Sequence, residues 1–440
     1  MSMQNANKTD SENELLDELR RAMDDVQAID CHDRVAPREQ VLECGDMLFH
    51  LFVTSCLPRG VVAADPALQQ HPADPAQSWK TLEPHLPNLR NTSAYRCVVE
   101  ASRLLYDFTG FPLDEKGYAE LRERMASAYN QADWYVQALR NRAKVDTVVW
   151  AVDSDIPLPE QERDLLLPTP NLDVFIRAHE RPYKELLEQR YHVKLLEFAD
   201  LMDLLNEALT EFDEKGVPAF WTSFSRFRPL IVRTVGPQEA AAAFRKPDDQ
   251  VTPEEARLFQ DHIIHQIAER CAALNLPLQM DTGAQANPMS VEHSDPCQLA
   301  GFVATHTRTR FVFLHGGYPF ARHLGAQAKT FPNTYVDGSS LAAHSLSAVK
   351  EVVGEWIELV PVGKLLLWGG NTARIESAVG SLLLMKDALA EILADRVENG
   401  FFSRELAFDL ARKILRDVPR RFYRTEEIRV RRKISAEAVD

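Results

Sequence analysis

The chain has 440 residues, 45% of them hydrophobic and 26% charged, with a formal net charge of −15. That is apolar enough for a sizeable core and too acidic for a sequence-independent grip on nucleic acid or on an anionic membrane surface. No run of about 18 apolar residues occurs, so no membrane-spanning helix is expected. The N-terminus is polar and acidic, without the apolar stretch of a secretory signal, and the six cysteines are scattered without a CxxC pair. Both features point to free thiols and a cytoplasmic location.

In chain order, the first dozen residues read as disordered. Ser11 is placed to cap a helix through Leu15, Leu16, Leu19 and Met23, whose spacing of three to four residues makes one apolar face. A short strand follows over 28–32, then an apolar helix over 41–52 and a proline-rich segment from Pro58 to Pro87. Helices over 89–106 and 118–139 are separated by Gly110-Phe111-Pro112. From Val145 the pattern alternates. Strands are expected over 145–151, 171–176 (weakly), 217–224, 277–281, 310–315, 334–337 and 365–369. Residues 182–215 read as largely helical and end at Gly216, a C-cap residue. Thr252-Pro253-Glu254-Glu255 opens another helix, with a cap, a proline in the first turn and acids at the positive end. The final segment reads as an amphipathic helix over 404–423 with a basic, frayed tail over 429–433. Eight strands alternating with helices imply an α/β fold, a (β/α)8 TIM barrel. Its parts are expected as an N-terminal segment and helix (1–27), the barrel (28–60 and 145–403), a helical insertion (61–144), and a C-terminal helix and tail (404–440).

In such barrels the chemistry sits at the carboxyl ends of the strands. Three strand ends stand out: Asp30-Cys31-His32-Asp33-Arg34, the FVFLHGGYPF stretch that stops at His315-Gly316-Gly317, and Trp368-Gly369-Gly370-Asn371. Together they resemble the amidohydrolase superfamily, and within it the branch of amidohydrolase-related proteins and uronate isomerase. The likeness in character is best from Pro277 to about Leu393, including FPNTYVD ending at Asp337. It implies a hydrolase, or a related lyase or isomerase, acting on a small polar substrate, with carboxylated ones among the candidates, in a barrel often found as a homo-oligomer.

The family's ligand pattern is HxH after strand 1, often lysine on strand 4, histidines on strands 5 and 6, and aspartate on strand 8. This sequence has His32 but Arg34 in place of the second histidine, Trp221 in place of lysine, Asp281 in LQMDTGAQ in place of the strand-5 histidine, His315 retained, and Asn371 in place of the aspartate. The resemblance makes His32, Asp281, His315 and Asn371 the catalytic candidates, and Arg34, Trp221 and Asp337 the substrate-binding ones. His32, Asp281 and His315 would be the ligands of one divalent metal, zinc, manganese or iron, if any is bound. A shifted register at strand 1 would add Asp33. Against a metal, a guanidinium cannot ligate a cation, an indole fills space, and an amide is no base at neutral pH. An Arg34–Asp281 ion pair could bridge the site instead, and the chain could be a catalytically inactive barrel that binds or regulates. Arg226 and Arg228 read equally as anion holders or as surface salt bridges. His262 and His265 read as packing or surface residues, and nothing in their spacing singles out His323 or His344. No P-loop, GxSxG, HExxH or strand-linked GxGxxG signature is present.

Overall fold

The computed structural model describes residues 14–437 other than 71, 73, 154–159 and 284–290, so Ser11 lies outside the described residues. Eight short strands occur in order: β1 (Ala28–Asp33), β2 (Val145–Val152), β3 (Leu166–Pro170), β4 (Phe220–Thr222), β5 (Leu278–Met280), β6 (Phe311–Phe313), β7 (Thr334–Asp337) and β8 (Leu365–Leu366). Seven fall where hydrophobic patterning puts them. The third does not. Asp173–Ile176 forms one helical turn, its first N–H held by the Asn171 side chain at 2.8 Å, and the strand is the preceding run containing Pro168 and Pro170. Prolines cannot donate to a ladder, which disguises the run. Hydrogen bonds flank the run on both sides: just before it the Leu165 carbonyl accepts from the Val148 N–H at 2.8 Å, and just after it the Asn171 N–H donates to the Val152 carbonyl at 2.8 Å.

Other boundaries moved for local reasons. The stretch 41–52 is two helices, Arg38–Leu42 and Met47–Ser55, separated at Gly45, with Asp46 capping the N–H groups of Leu48 and Phe49 at 3.1 Å each. Residues 182–215 divide into Arg181–Tyr191 and Phe198–Glu214. The basic tail is the helix Thr425–Glu437, not a frayed end. Its charges meet acids one turn away, as in Arg424–Glu427 at 2.8 Å and Arg429–Glu426 at 3.2 Å, while Ile428 is buried.

The chain forms two compact units: Met1–Trp150, Pro157–Leu166 and Gly338–Pro419 make the first; Ala151–Ile156, Leu167–Asp337 and Arg420–Asp440 make the second. In the first, β1 runs parallel to the start of β2, with Ile29 opposite Thr147, and the Cys31 N–H donates to the Trp368 carbonyl at 3.0 Å. Around them pack helices, chiefly Ser93–Tyr106 against Ile375–Glu398. That contact buries a polar knot. Glu376, wholly buried, accepts from the hydroxyls of Tyr106 at 2.7 Å and Tyr129 at 3.0 Å, and faces Arg374 at 3.4 Å. A buried carboxylate with this many donors holds two helices in one register.

In the second unit β4, β5, β6 and β7 pair in parallel and in step, Phe220 with Leu278, Leu278 with Phe311, Phe311 with Thr334. Asn171 bridges to Trp221 on the other side of β4. The long helix Pro253–Leu274 starts with the expected reciprocal cap between Thr252 and Glu255. His262 and His265 lie on it as packing residues. His262 Nδ1 sits 3.0 Å from the Val235 carbonyl, and His265 Nδ1 is 2.6 Å from His306 Nε2. Burial holds His265 below its ordinary pKa and His306 down to about 4. The sign follows. A histidine whose folded pKa is depressed stabilises fully above its unfolded pKa of about 6.5 and loses that contribution as pH falls through the folded value. Thermal melts from pH 7 to pH 4 should therefore fall more steeply for the wild-type chain than for His306→Gln. Parallel pH profiles would show that this pair does not carry the acid sensitivity.

No helix among the described residues is long and apolar enough to cross a membrane.

Candidate active site

The candidate residues lie in both units, and each unit positions its own. In the second unit, Asp281 follows β5 directly. Its N–H donates to the Thr222 carbonyl at 3.0 Å, which fixes the carboxylate at the strand end. The side chain is fully buried, and two groups share it. Arg226 donates to Oδ2 from Nε at 3.0 Å and from Nη2 at 2.8 Å, while His315 Nε2 lies 3.1 Å from Oδ1. Of the two strand-4 arginines, Arg226 thus reaches the site. Arg228 does not: it is buried against Asp261 at 2.5 Å.

His315 opens the short turn two residues after β6 with a positive φ of 64°, and its own N–H lies 3.3 Å from Asp337 Oδ1 at the end of β7. A histidine in the left-handed region is uncommon, and here the surrounding turns hold it. Thr282 Oγ1 donates to the Leu314 carbonyl at 2.8 Å, and the Leu314 N–H donates to the Met280 carbonyl at 3.0 Å. Gly283, at φ 72°, lies so close that a Cβ there would sit 2.4 Å from the Tyr318 carbonyl oxygen. The Asp-Thr-Gly and His-Gly-Gly motifs are therefore two halves of one interlocked turn, with Asp281 and His315 presented side by side. Trp221, by contrast, is a wholly buried ring within β4, with no face open as a stacking platform.

Sequence reading passed over Asp173. Its carboxylate accepts from Thr222 Oγ1 and Ser223 Oγ, both at 2.5 Å, and from the Ser223 N–H at 3.1 Å. Burial raises its pKa, partly offset by these hydrogen bonds. The signal available in the sequence was Asn171-Leu172-Asp173 just beyond the proline-disguised strand.

In the first unit, all six residues of β1 are buried, His32 among them. The two aspartates beside His32 face the loop after β8. Asp30 accepts from the His32 N–H at 3.1 Å and the Gly370 N–H at 3.0 Å; Asp33 accepts from Arg34 at 2.7 Å and Thr372 at 2.8 Å through their backbone N–H groups. Burial, with Asp33 as a like-charged neighbour, pushes Asp30 well above the usual carboxylate range, and burial lifts Asp33 to about 7. A Cβ at Gly370 would meet Asp33 Oδ2 at 2.3 Å, so the Trp-Gly-Gly-Asn motif needs that glycine for the loop to approach β1. Asn371 adopts a positive φ of 45°, which asparagine tolerates. Its N–H donates to the His32 carbonyl at 3.0 Å and its side-chain amide to Ser340 Oγ at 2.8 Å.

A family model described as Amidohydrolase matches residues 237–425. Among curated proteins, the chain is similar to protein fluG of Emericella nidulans, 32% identical over 154 residues. That match covers 35% of this chain and only 18% of the relative, so the chain spans well under two thirds of that protein's length. Among solved structures, uronate isomerase from Thermotoga maritima superposes with a TM-score of 0.76 at 14% identity, covering 93% of this chain and 97% of that one. Glucuronate isomerase from Caulobacter crescentus gives a TM-score of 0.76 at 15% identity, covering 94% of each chain. At these identities the superpositions establish the fold, a (β/α)8 barrel.

Proposed function

We propose that the chain, whose residues 237–425 match the Amidohydrolase family model, is an enzyme of the amidohydrolase superfamily moving protons on a small, carboxylated substrate, in a hydrolysis or an isomerisation. Asp281 and His315 are its acid–base pair. The observation that carries this reading is the contact of Asp281 Oδ1 with His315 Nε2 at 3.1 Å while Arg226 occupies Oδ2. The guanidinium pairs with one oxygen of the carboxylate and the other oxygen orients the imidazole, the arrangement a histidine needs to take and return a proton. Asp337, on the His315 N–H, holds the ring's backbone in place. Arg34 is assigned to the substrate carboxylate, His32 and Asn371 to hydrogen bonding or ligation at the reacting group, and Trp221 to closing the interior.

The donor chemistry fits a single divalent ion. With an ion bound, the carboxylate oxygen and imidazole nitrogen 3.1 Å apart would serve as ligands to zinc, manganese or iron in place of exchanging a proton, with Arg226 on the other carboxylate oxygen. His32 is the proposed third donor from its motif position. A bound ion would polarise the substrate oxygen and make a coordinated water more acidic. Elemental analysis by mass spectrometry, on protein purified without chelator or nickel resin, tests this. Wild-type protein should carry roughly one equivalent of divalent metal, as such sites do, and Asp281→Asn and His32→Ala should each lose it while remaining folded. Folded wild-type protein without metal, or variants that keep it, would remove the ion from the reading.

The second reading, a barrel that binds or regulates without turnover, draws on Asn371, whose amide is engaged with Ser340 where the family's aspartate acts as base. Ligand binding without turnover, unaffected by His315→Ala, would favour it.

A further inference from the structure

The first unit carries a polar cleft of about 960 Å³ that plays no part in the chemistry above. Two helices of fourteen residues each, Ser93–Tyr106 and Leu346–Leu359, begin at its wall. Their starts are tied together, because the Leu346 N–H donates to Ser93 Oγ at 2.9 Å. Thr92 caps Tyr95 and Ser345 caps Ala348, while Ala94 and Ser347 keep the N–H groups a helix start cannot satisfy internally. Two positive dipole ends thus converge on one space.

A second, independent feature points to an anion. Lys386 lines the cleft with only 6% of its surface exposed, and among the described residues no hydrogen bond or ion pair holds its ammonium. Burial lowers its pKa to about 8, only partly countered by Asp24 and Asp25, with Lys144 adding repulsion. The other acids of the cleft are already matched by cations. Asp387 pairs with Arg20 at 2.7 Å, Glu100 pairs with Arg96 at 2.7 Å, and Glu391 pairs with Lys350. What is left over is Lys386, the exposed Arg90 at the rim, and the helix starts, a surplus of positive potential against the exposed Asp24.

We propose that this cleft binds a phosphate dianion, free or as the head of a phosphomonoester, between Lys386, Arg90 and the first turns of the helices Ser93–Tyr106 and Leu346–Leu359. A bound dianion supplies the partner Lys386 lacks and accepts from the unsatisfied N–H groups, which is how helix starts recognise phosphate.

The test is calorimetric titration of the full chain with inorganic phosphate and, separately, with glycerol 3-phosphate, at constant ionic strength. Wild-type protein should bind about one equivalent of at least one of them, and Lys386→Met should weaken binding by roughly tenfold or more, the worth of one charge-assisted hydrogen bond. Arg90→Gln, a change at an exposed position, should weaken it several-fold, and it decides the matter if Lys386→Met does not fold. His315→Gln separates this cleft from the active site and should bind as wild type. Tighter binding of glycerol 3-phosphate identifies an ester as the ligand, and equal binding identifies the free ion. Absence of binding to wild-type protein, or binding abolished by His315→Gln and kept by Lys386→Met, overturns the proposal.

Discussion

Replacing Arg228 with methionine should destabilise the protein by about 3–5 kcal/mol, the cost of breaking a buried ion pair from one side. The target is Asp261, a carboxylate with no exposed surface on the helix Pro253–Leu274. Arg228, itself 3% exposed, holds Oδ1 at 2.5 Å and donates to the Ile231 carbonyl at 2.6 Å. Arg233 reaches Oδ2 at 3.1 Å, but it is 41% exposed and shared with Glu254, so it cannot neutralise a dry carboxylate by itself. The double variant Arg228→Met, Asp261→Leu should recover most of the loss, since removing both charges removes the desolvation cost as well. Thermal or denaturant unfolding of the two variants measures this. A single variant as stable as wild type would mean that Arg233 or water already carries Asp261.

His315→Ala should lower turnover by about 10²–10⁴-fold, the usual contribution of a positioned general acid–base group. The test needs a substrate, to be found by screening uronates and small carboxylated amides against wild-type protein. The fall should appear in kcat rather than in KM, because His315 is assigned to proton transfer and Arg34 to binding. Arg226→Gln should sit between wild type and His315→Ala, since it leaves the pair in place but removes the guanidinium that holds Asp281. Unchanged kcat in His315→Ala would end the acid–base assignment.

These two arginines show where sequence reasoning reached and where it stopped. Arg226 and Arg228 are two residues apart and look equivalent in the sequence, yet the short 3₁₀ turn after β4 sends one to Asp281 and the other to Asp261. A sequence shows that two cations are near a strand end but not which buried acid each meets. The strands themselves were legible, because β1, β2 and β4 to β8 are apolar runs bounded by turn residues. β3 was hidden by its prolines, and with it Asp173 escaped notice. The motif residues Asp281 and His315 were found from their places at strand ends, and the structure brings them into contact. The sequence-based expectation for Asp281 was a cation from strand 1; the guanidinium found on it within its own unit belongs to Arg226.

The interlocked turns after β5 and β6 also bear on how such a barrel can diversify. A side chain at position 283 would collide with backbone at position 318, and no rotamer change relieves a clash with a carbonyl. The two segments must therefore drift together or not at all, so neither is a free surface on which selection can sculpt a new pocket. Inheritance of the Asp-Thr-Gly and His-Gly-Gly turns as a block would leave the Asp281–His315 contact intact while residues outside it change. In relatives of this chain, positions 283 and 317–318 should change as a linked pair, a historical trace of a steric constraint.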